Sequence, residues 1–199
     1  MNDYSFITRI MLTPDQRIDA ILTAAEACFV RRGFHATTIQ DIAQEAAISQ
    51  GLMYRYFKGK AHLIIALVER YVYTVQRAIE QAPTLDATLD VLFREAPDPK
   101  SDQHDGILLV EIMAEALRNP DVAEVVRQAD AAITVTLADR LTAAQRAGHI
   151  AADLDPEATA ALLVALGDGL VLHASMADEP TPKALERTLV TLLTRFLAA

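Results

Sequence analysis

Apolar residues recur at steps of three and four along most of the chain, interrupted by proline, glycine and short polar runs. That spacing puts one face of a helix toward a core. Ile18, Ile21, Leu22, Ala25, Cys28 and Phe29 form the first stripe. Pro14 suits the first turn of this helix, Thr13 its cap, and Gly33 ends it in a left-handed conformation. Ile39, Ile42, Ala43 and Ala46 form a second, shorter stripe, for which Thr37 is the predicted cap and Gln40 its capping-box partner. Ala46-Ala47-Ile48 carries a turn. Ser49 caps a third helix, in which Met53 and Phe57 share the inward face. A fourth helix is predicted over 60–81, with Leu63, Leu67, Tyr71 and Val75 on its stripe and Pro83 stopping it. Five more follow over 84–95, 107–118, 121–147, 155–176 and 183–197, with a loop over 96–102 marked by two prolines. The fold class is all-α.

Composition agrees with this pattern. The 199 residues are 52% hydrophobic, mean hydropathy is positive, and only 7 are glycine, so a buried helical core is affordable. The net charge of −9 is unevenly spread. Residues 1–60 hold seven Lys/Arg and six Asp/Glu, whereas 61–199 hold eleven and twenty-one. An acidic bulk repels DNA and confines any contact with it to the N-terminal head. Cys28 is the only cysteine, which excludes an intrachain disulfide, suits a reducing cytoplasm, and reads as a small core residue. No basic start followed by a long apolar run opens the chain, so no signal peptide is expected. The longest apolar stretch, 158–166, is too short to span a bilayer. A cytoplasmic protein with no membrane partner is expected.

Catalytic chemistry finds little support. The five histidines have no metal-ligand spacing with Cys28 or the carboxylates, no glycine-rich phosphate loop occurs, and no serine sits in a nucleophile elbow. Glu111 and Glu115 lie four apart, as a general acid and base do, but such a pair is more often a solvated face or a set of salt-bridge partners. No enzyme activity, cofactor or metal is expected.

The third helix is different. With Met53 and Phe57 inward, it leaves Gln50, Leu52, Arg55, Tyr56 and part of Tyr54 outside, with Lys58 and Lys60 just beyond. Glutamine reads adenine, arginine reads guanine, and an apolar side chain meets the thymine methyl. Lysines and phenols suit phosphates, which position rather than specify. A plain helical hairpin with its aromatics in the core fits the same residues.

The stretch Gly33-Phe34-His35-Ala36-Thr37-Thr38-Ile39-Gln40-Asp41-Ile42-Ala43, followed by Ser49-Gln50-Gly51-Leu52-Met53-Tyr54-Arg55-Tyr56-Phe57-Lys58-Gly59-Lys60, closely resembles the DNA-binding domain of the tetracycline-repressor (TetR) family. It departs from the family where Ala47 replaces a turn glycine, Leu52 a frequent threonine, Gln40 a frequent basic residue, and Gly59 a serine or asparagine. The resemblance implies a DNA-binding set of Thr38, Gln40, Ser49, Gln50, Gly51, Leu52, Tyr54, Arg55, Tyr56 and Lys60. In that set Gln50, Leu52 and Arg55 read bases, and Thr38, Tyr54, Tyr56 and Lys60 hold phosphates.

The stretch 146–157, running into Gly167-Asp168-Gly169-Leu170, is similar to the C-terminal half of the same family. A nine-helix TetR-like architecture is implied: an arm over 1–12, a helix-turn-helix domain over 13–60, and an effector-binding and dimerisation domain over 61–199. The last two helices would pair with those of a second subunit through Leu162, Leu166, Gly169, Leu170, Leu189, Leu193 and Phe196. The same stripes would also serve a monomer core. Gly167 and Gly169 each cost about 1 kcal/mol in a helix interior, which points to a close approach of another helix or a ligand. A pocket lined by Tyr71, Glu111, Met113, Glu115, Asp168 and His173 would favour a cationic or amine effector. The implied function is a dimeric regulator, a repressor released from a palindromic double-stranded operator by a small molecule. An effector-independent architectural DNA-binding protein is the alternative, and an enzyme or ligand carrier with a vestigial head is a third.

Overall fold

A computed structural model describes residues 13–93, 99–176 and 183–198. Among them nine helices follow one another: α1 Pro14–Arg32, α2 Ile39–Glu45, α3 Gln50–Tyr56, α4 Lys60–Gln81, α5 Leu85–Phe93, α6 Pro99–Ala116, α7 Pro120–Arg146, α8 Pro156–Ser175 and α9 Lys183–Leu197. The chain divides into two compact units, Met1–Leu67 and Val68–Ala199, so the division falls inside α4, beyond the expected 60/61 boundary. The expected arm over 1–12 lies outside the described residues.

The first unit is built around α1. Thr13 and Gln16 form its capping box: the Gln16 N–H donates to Thr13 Oγ1 (3.2 Å) and the Thr13 N–H to Gln16 Oε1 (3.0 Å). Gly33 closes it at φ 77° and ψ 160°, a region open in practice to glycine alone. The core takes Ile21, Leu22, Ala25, Cys28 and Phe29 from α1, Ile42 and Ala43 from α2, Met53 from α3, and Phe34, Ala46 and Phe57 from the connections. Cys28 is buried, and burial pushes its thiol up, so it serves as packing.

The second unit is layered around α8, which lies along α6 and α7 and also meets α5, while α9 packs on α5. Leu89, Phe93, Leu137, Leu141, Ile150, Ala160, Leu163 and Leu197 form its core. Side-chain amides fasten the backbone. Gln76 donates to Ala132 O (3.2 Å) and Thr136 Oγ1 (3.0 Å), joining α4 to α7. Gln145 donates to the carbonyls of Ala151 and Leu154, both at 2.9 Å, and holds the α7–α8 connection. Gly167 is buried against α5, where a Cβ would stand 3.4 Å from Leu92 O.

Two boundaries differ from the sequence expectation. The cap of α2 is Thr38, one residue later than Thr37. Thr37 is buried, with its hydroxyl 2.8 Å from Gly33 O and 3.1 Å from Cys28 O, so the partner three residues on becomes Asp41 rather than Gln40. The sixth helix starts at Pro99 rather than at 107. A proline in a first turn gives up no hydrogen bond, so the same residue that marks a loop also opens a helix.

Candidate nucleic-acid interface

The helix α3 has seven residues, too few to be stable alone, so its surroundings hold it. Three devices do so. Ser49 Oγ accepts from the Leu52 N–H at 3.2 Å, which caps the helix and leaves the serine hydrogen to donate outward. Met53 and Phe57 sit in the core. The turn before it places Ala47 at φ 50°, the one positive φ of a non-glycine among the described residues, with the Ile48 N–H donating to Ala43 O at 2.9 Å. The turn forms with alanine where the family has glycine.

Gln50, Gly51, Tyr54 and Arg55 are thereby exposed, and Leu52 and Tyr56 are half-buried. The side chains of Gln50, Tyr54, Arg55, Tyr56 and Lys58 make no hydrogen bond or ion pair with another described residue. Gln40, exposed on α2, shares this. Gly51 faces open space, since a Cβ built there meets nothing within 4 Å. One amide, two phenols, a guanidinium and a lysine are therefore presented together on one short helix and its C-terminal flank.

Thr38 and Lys60 are placed otherwise. The Thr38 hydroxyl donates to Asp41 Oδ2 at 2.7 Å, the Thr38 N–H donates to the same oxygen at 2.8 Å, and the Asp41 N–H returns to Thr38 Oγ1 at 3.1 Å. Lys60 directs its ammonium at Phe34 O (2.6 Å) and His35 O (3.2 Å) and lies 4.5 Å above the Phe34 ring. Both side chains are used within the head.

Arg31 and Arg32, in the last turn of α1, stand outside the expected interface set. Arg31 Nη2 meets Glu45 Oε2 at 2.7 Å and Arg32 Nη1 meets Asp41 Oδ1 at 2.8 Å, so both tie the end of α1 to α2. Opposite charges at 31/45 and 32/41 were the available signal. The Thr38 hydroxyl first, then its N–H and Arg32, hold the Asp41 carboxyl below its ordinary range.

In the second unit Tyr71 lies in the field of Asp168. Burial, and then the carboxylate of Asp130, push Asp168 up to about 6. Desolvation, and then Asp168, Asp105 and Asp130, push the Tyr71 phenol up, although 58% of that residue stays exposed. Glu115 is buried at the end of α6 and accepts from Asn119 Nδ2 at 3.2 Å. Glu111 and Met113 are half-buried and His173 is exposed. Among the described residues no three His, Cys, Asp or Glu are grouped to hold a metal ion, and no helix is long and apolar enough to cross a membrane.

The proposed pairing residues divide. Leu162, Leu166 and Phe196 are 72%, 40% and 68% exposed, and Gly169 is exposed with no atom near its missing Cβ. Leu170, Leu189 and Leu193 are partly buried against their own core. Leu192, 58% exposed and four residues before Phe196, belongs with the exposed group.

Known proteins agree with this picture. Residues 21–67 match the sequence model of the bacterial regulatory proteins of the tetR family, and residues 83–198 that of the BetI-type transcriptional repressor C-terminal domain. The HTH-type transcriptional regulator UidR of Escherichia coli K12 is 32% identical over 162 residues, 79% of this chain and 81% of that protein. The HTH-type transcriptional regulator TtgR of Pseudomonas putida is 30% identical over 166 residues, 76% of each. The structure of Salmonella enterica GusR superposes with a TM-score of 0.75 at 30% identity, covering 94% of this chain and 98% of that one. The chain belongs to the TetR family of DNA-binding transcriptional regulators and is not an enzyme.

Proposed function

We propose that the protein acts in the cytoplasm as a homodimer, represses transcription from a near-palindromic operator, and leaves that operator when a small-molecule effector binds the second unit. The exposed, unengaged face of α3 is the observation that carries this reading. A solvated face gains nothing from capping and anchoring so short a helix, whereas a helix that enters the major groove must be held at a fixed angle. Gln50, Leu52 and Arg55 are the base readers. Ser49, Tyr54, Tyr56 and Lys58 face phosphates, and Gly51 lets the backbone approach.

Dimerisation has its own support. Leu162, Ala165, Leu166 and Gly169 share one exposed face of α8, and Leu192 and Phe196 one exposed face of α9. A glycine in a helix interior costs about 1 kcal/mol, and Gly169 has no neighbour among the described residues to justify that. A second subunit pressed on the same helices supplies one. Two-fold pairing then sets two recognition helices on two half-sites.

The effector is proposed for the region of Tyr71 and Asp168, with Glu111, Met113, Glu115 and His173 on the surrounding helices. Carboxylates there favour a cationic or amine compound. The effector must bind the DNA-incompetent state more tightly, and operator DNA must then weaken effector binding by the same factor. Selection from source-genome fragments tests the reading. Enrichment of a short inverted repeat, bound by a dimer and released by a cationic compound, is expected. Failure to enrich any sequence would overturn it, and a repeat that no small molecule releases would favour an architectural role.

A further inference from the structure

Lys60 follows the recognition helix by four residues and opens α4. A cation at a helix N-terminus stands at the unfavourable end of the helix dipole. Here the ammonium turns back into the head. Two of its three hydrogens meet Phe34 O (2.6 Å) and His35 O (3.2 Å), and the charge lies 4.5 Å above the Phe34 ring. Phe34 is buried, and its ring packs against Phe29 of α1 with centroids 5.3 Å apart. These carbonyls belong to the turn that carries the chain from α1 into α2.

We propose that Lys60 is a positioning residue for base recognition rather than a phosphate contact. It ties the C-terminal exit of α3 to the α1–α2 turn. The Ala46-Ala47-Ile48 turn fixes the other end of α3 to α2, so the tether completes the frame that sets the angle of the reading face. Met53 and the C-cap Phe57 hold α3 by packing, and the ammonium adds a directional tie at the C-terminal exit. The inference rests on α3 as the reader, and it assigns to Lys60 a contribution to discrimination between sequences. A phosphate contact has no such effect, because every sequence offers the same phosphates.

The test uses the full chain and two duplexes: one selected by the protein from a random-sequence pool, and a scrambled version of it. Lys60→Met keeps the apolar stem and removes the charge. The expected result is a fall of about tenfold in affinity for the selected duplex, the scale of one lost charge-assisted hydrogen bond. Affinity for the scrambled duplex and the slope of log K against log salt stay unchanged, and so does helix content by circular dichroism. Lys60→Arg restores most of the discrimination, since a guanidinium can donate to both carbonyls and stack on the ring. Equal weakening on both duplexes, with the slope shallower by about 0.9 per bound subunit, overturns the proposal in favour of a direct phosphate contact. A lower Tm with discrimination intact overturns it in favour of a purely structural role. An unmodified protein that cannot tell the two duplexes apart removes α3 as reader and this proposal with it. Normal discrimination by Lys60→Met removes the proposal alone.

Discussion

Thr38 and Asp41 cap one another: the Asp41 carboxylate takes both the N–H and the hydroxyl hydrogen of Thr38, and the threonine oxygen takes the Asp41 N–H. Phosphate oxygens only accept, so with this box closed the Thr38 side chain has no hydrogen to give them. Thr38→Ala is expected to cost about 1 kcal/mol of stability, the usual price of a lost cap, and to leave the salt slope of DNA binding unchanged. Chemical denaturation and salt titration check the two halves separately.

The same box makes the head acid-sensitive. The folded-state pKa of Asp41 lies below its unfolded value, so its contribution is present above the ordinary carboxylate range and is lost as pH falls through the folded value. Thermal unfolding should show the first unit losing stability below about pH 4. In Asp41→Asn that part of the pH dependence should flatten.

Asp168 behaves in the opposite sense. Burial, then Asp130, lift it to about 6, above its unfolded value of about 3.9. As pH rises between these values the unfolded chain releases the proton first, so the folded state loses relative stability, and above the upper value the penalty is constant. Asp168→Asn should therefore stabilise the second unit at neutral pH by about 1 kcal/mol, after allowance for solvent screening of a partly exposed group. It should also remove the decline between the two values.

Two substitutions in the head separate backbone strain from function. Ala47 sits at φ 50°, where a Cβ is disfavoured, so Ala47→Gly should raise stability by roughly 0.5–1 kcal/mol, strain relieved less the added entropy of the unfolded chain. Gly51→Ala should also stabilise, by up to about 1 kcal/mol, because a Cβ there meets no described residue within 4 Å. Yet it should weaken DNA binding, because the added methyl stands where the DNA approaches. Calorimetric Tm moving up while affinity moves down is the expected pairing. An unchanged affinity would remove Gly51 from the interface.

Adjacent leucines on α8 serve different ends. Leu163 is 4% exposed and Leu162 is 72% exposed. Leu163→Ala should cost about 2–5 kcal/mol as a core cavity. Leu162→Glu should leave the fold intact and yield a monomer by sedimentation.

These leucines also show what spacing could and could not reveal. Apolar residues cover α8 on several sides, so the three-and-four pattern marked a helix without telling which stripe turned inward. By contrast, Gly33, Ser49, Met53 and Phe57 were legible, because a helix stop, a cap and a four-residue inward pair each follow from local chemistry. The start of α2 was off by one residue. Thr37 and Thr38 are equal as caps locally, and only the carbonyls of Cys28 and Gly33, supplied by tertiary packing, draw Thr37 inward. Lys60 read as a phosphate contact for the same reason: Phe34 and His35, whose carbonyls it meets, lie 26 and 25 residues away in sequence.

The central claim is that α3 reads base edges through Gln50, Leu52 and Arg55. Its most direct test is a fluorescence-anisotropy titration of Arg55→Ala beside the unmodified protein. The probes are the selected inverted repeat and single-base variants of its half-site. The account predicts a loss of about 1–3 kcal/mol on the selected repeat, with discrimination relaxed at one position of the half-site and retained at the others. Uniform weakening across all variants, or none, would contradict it.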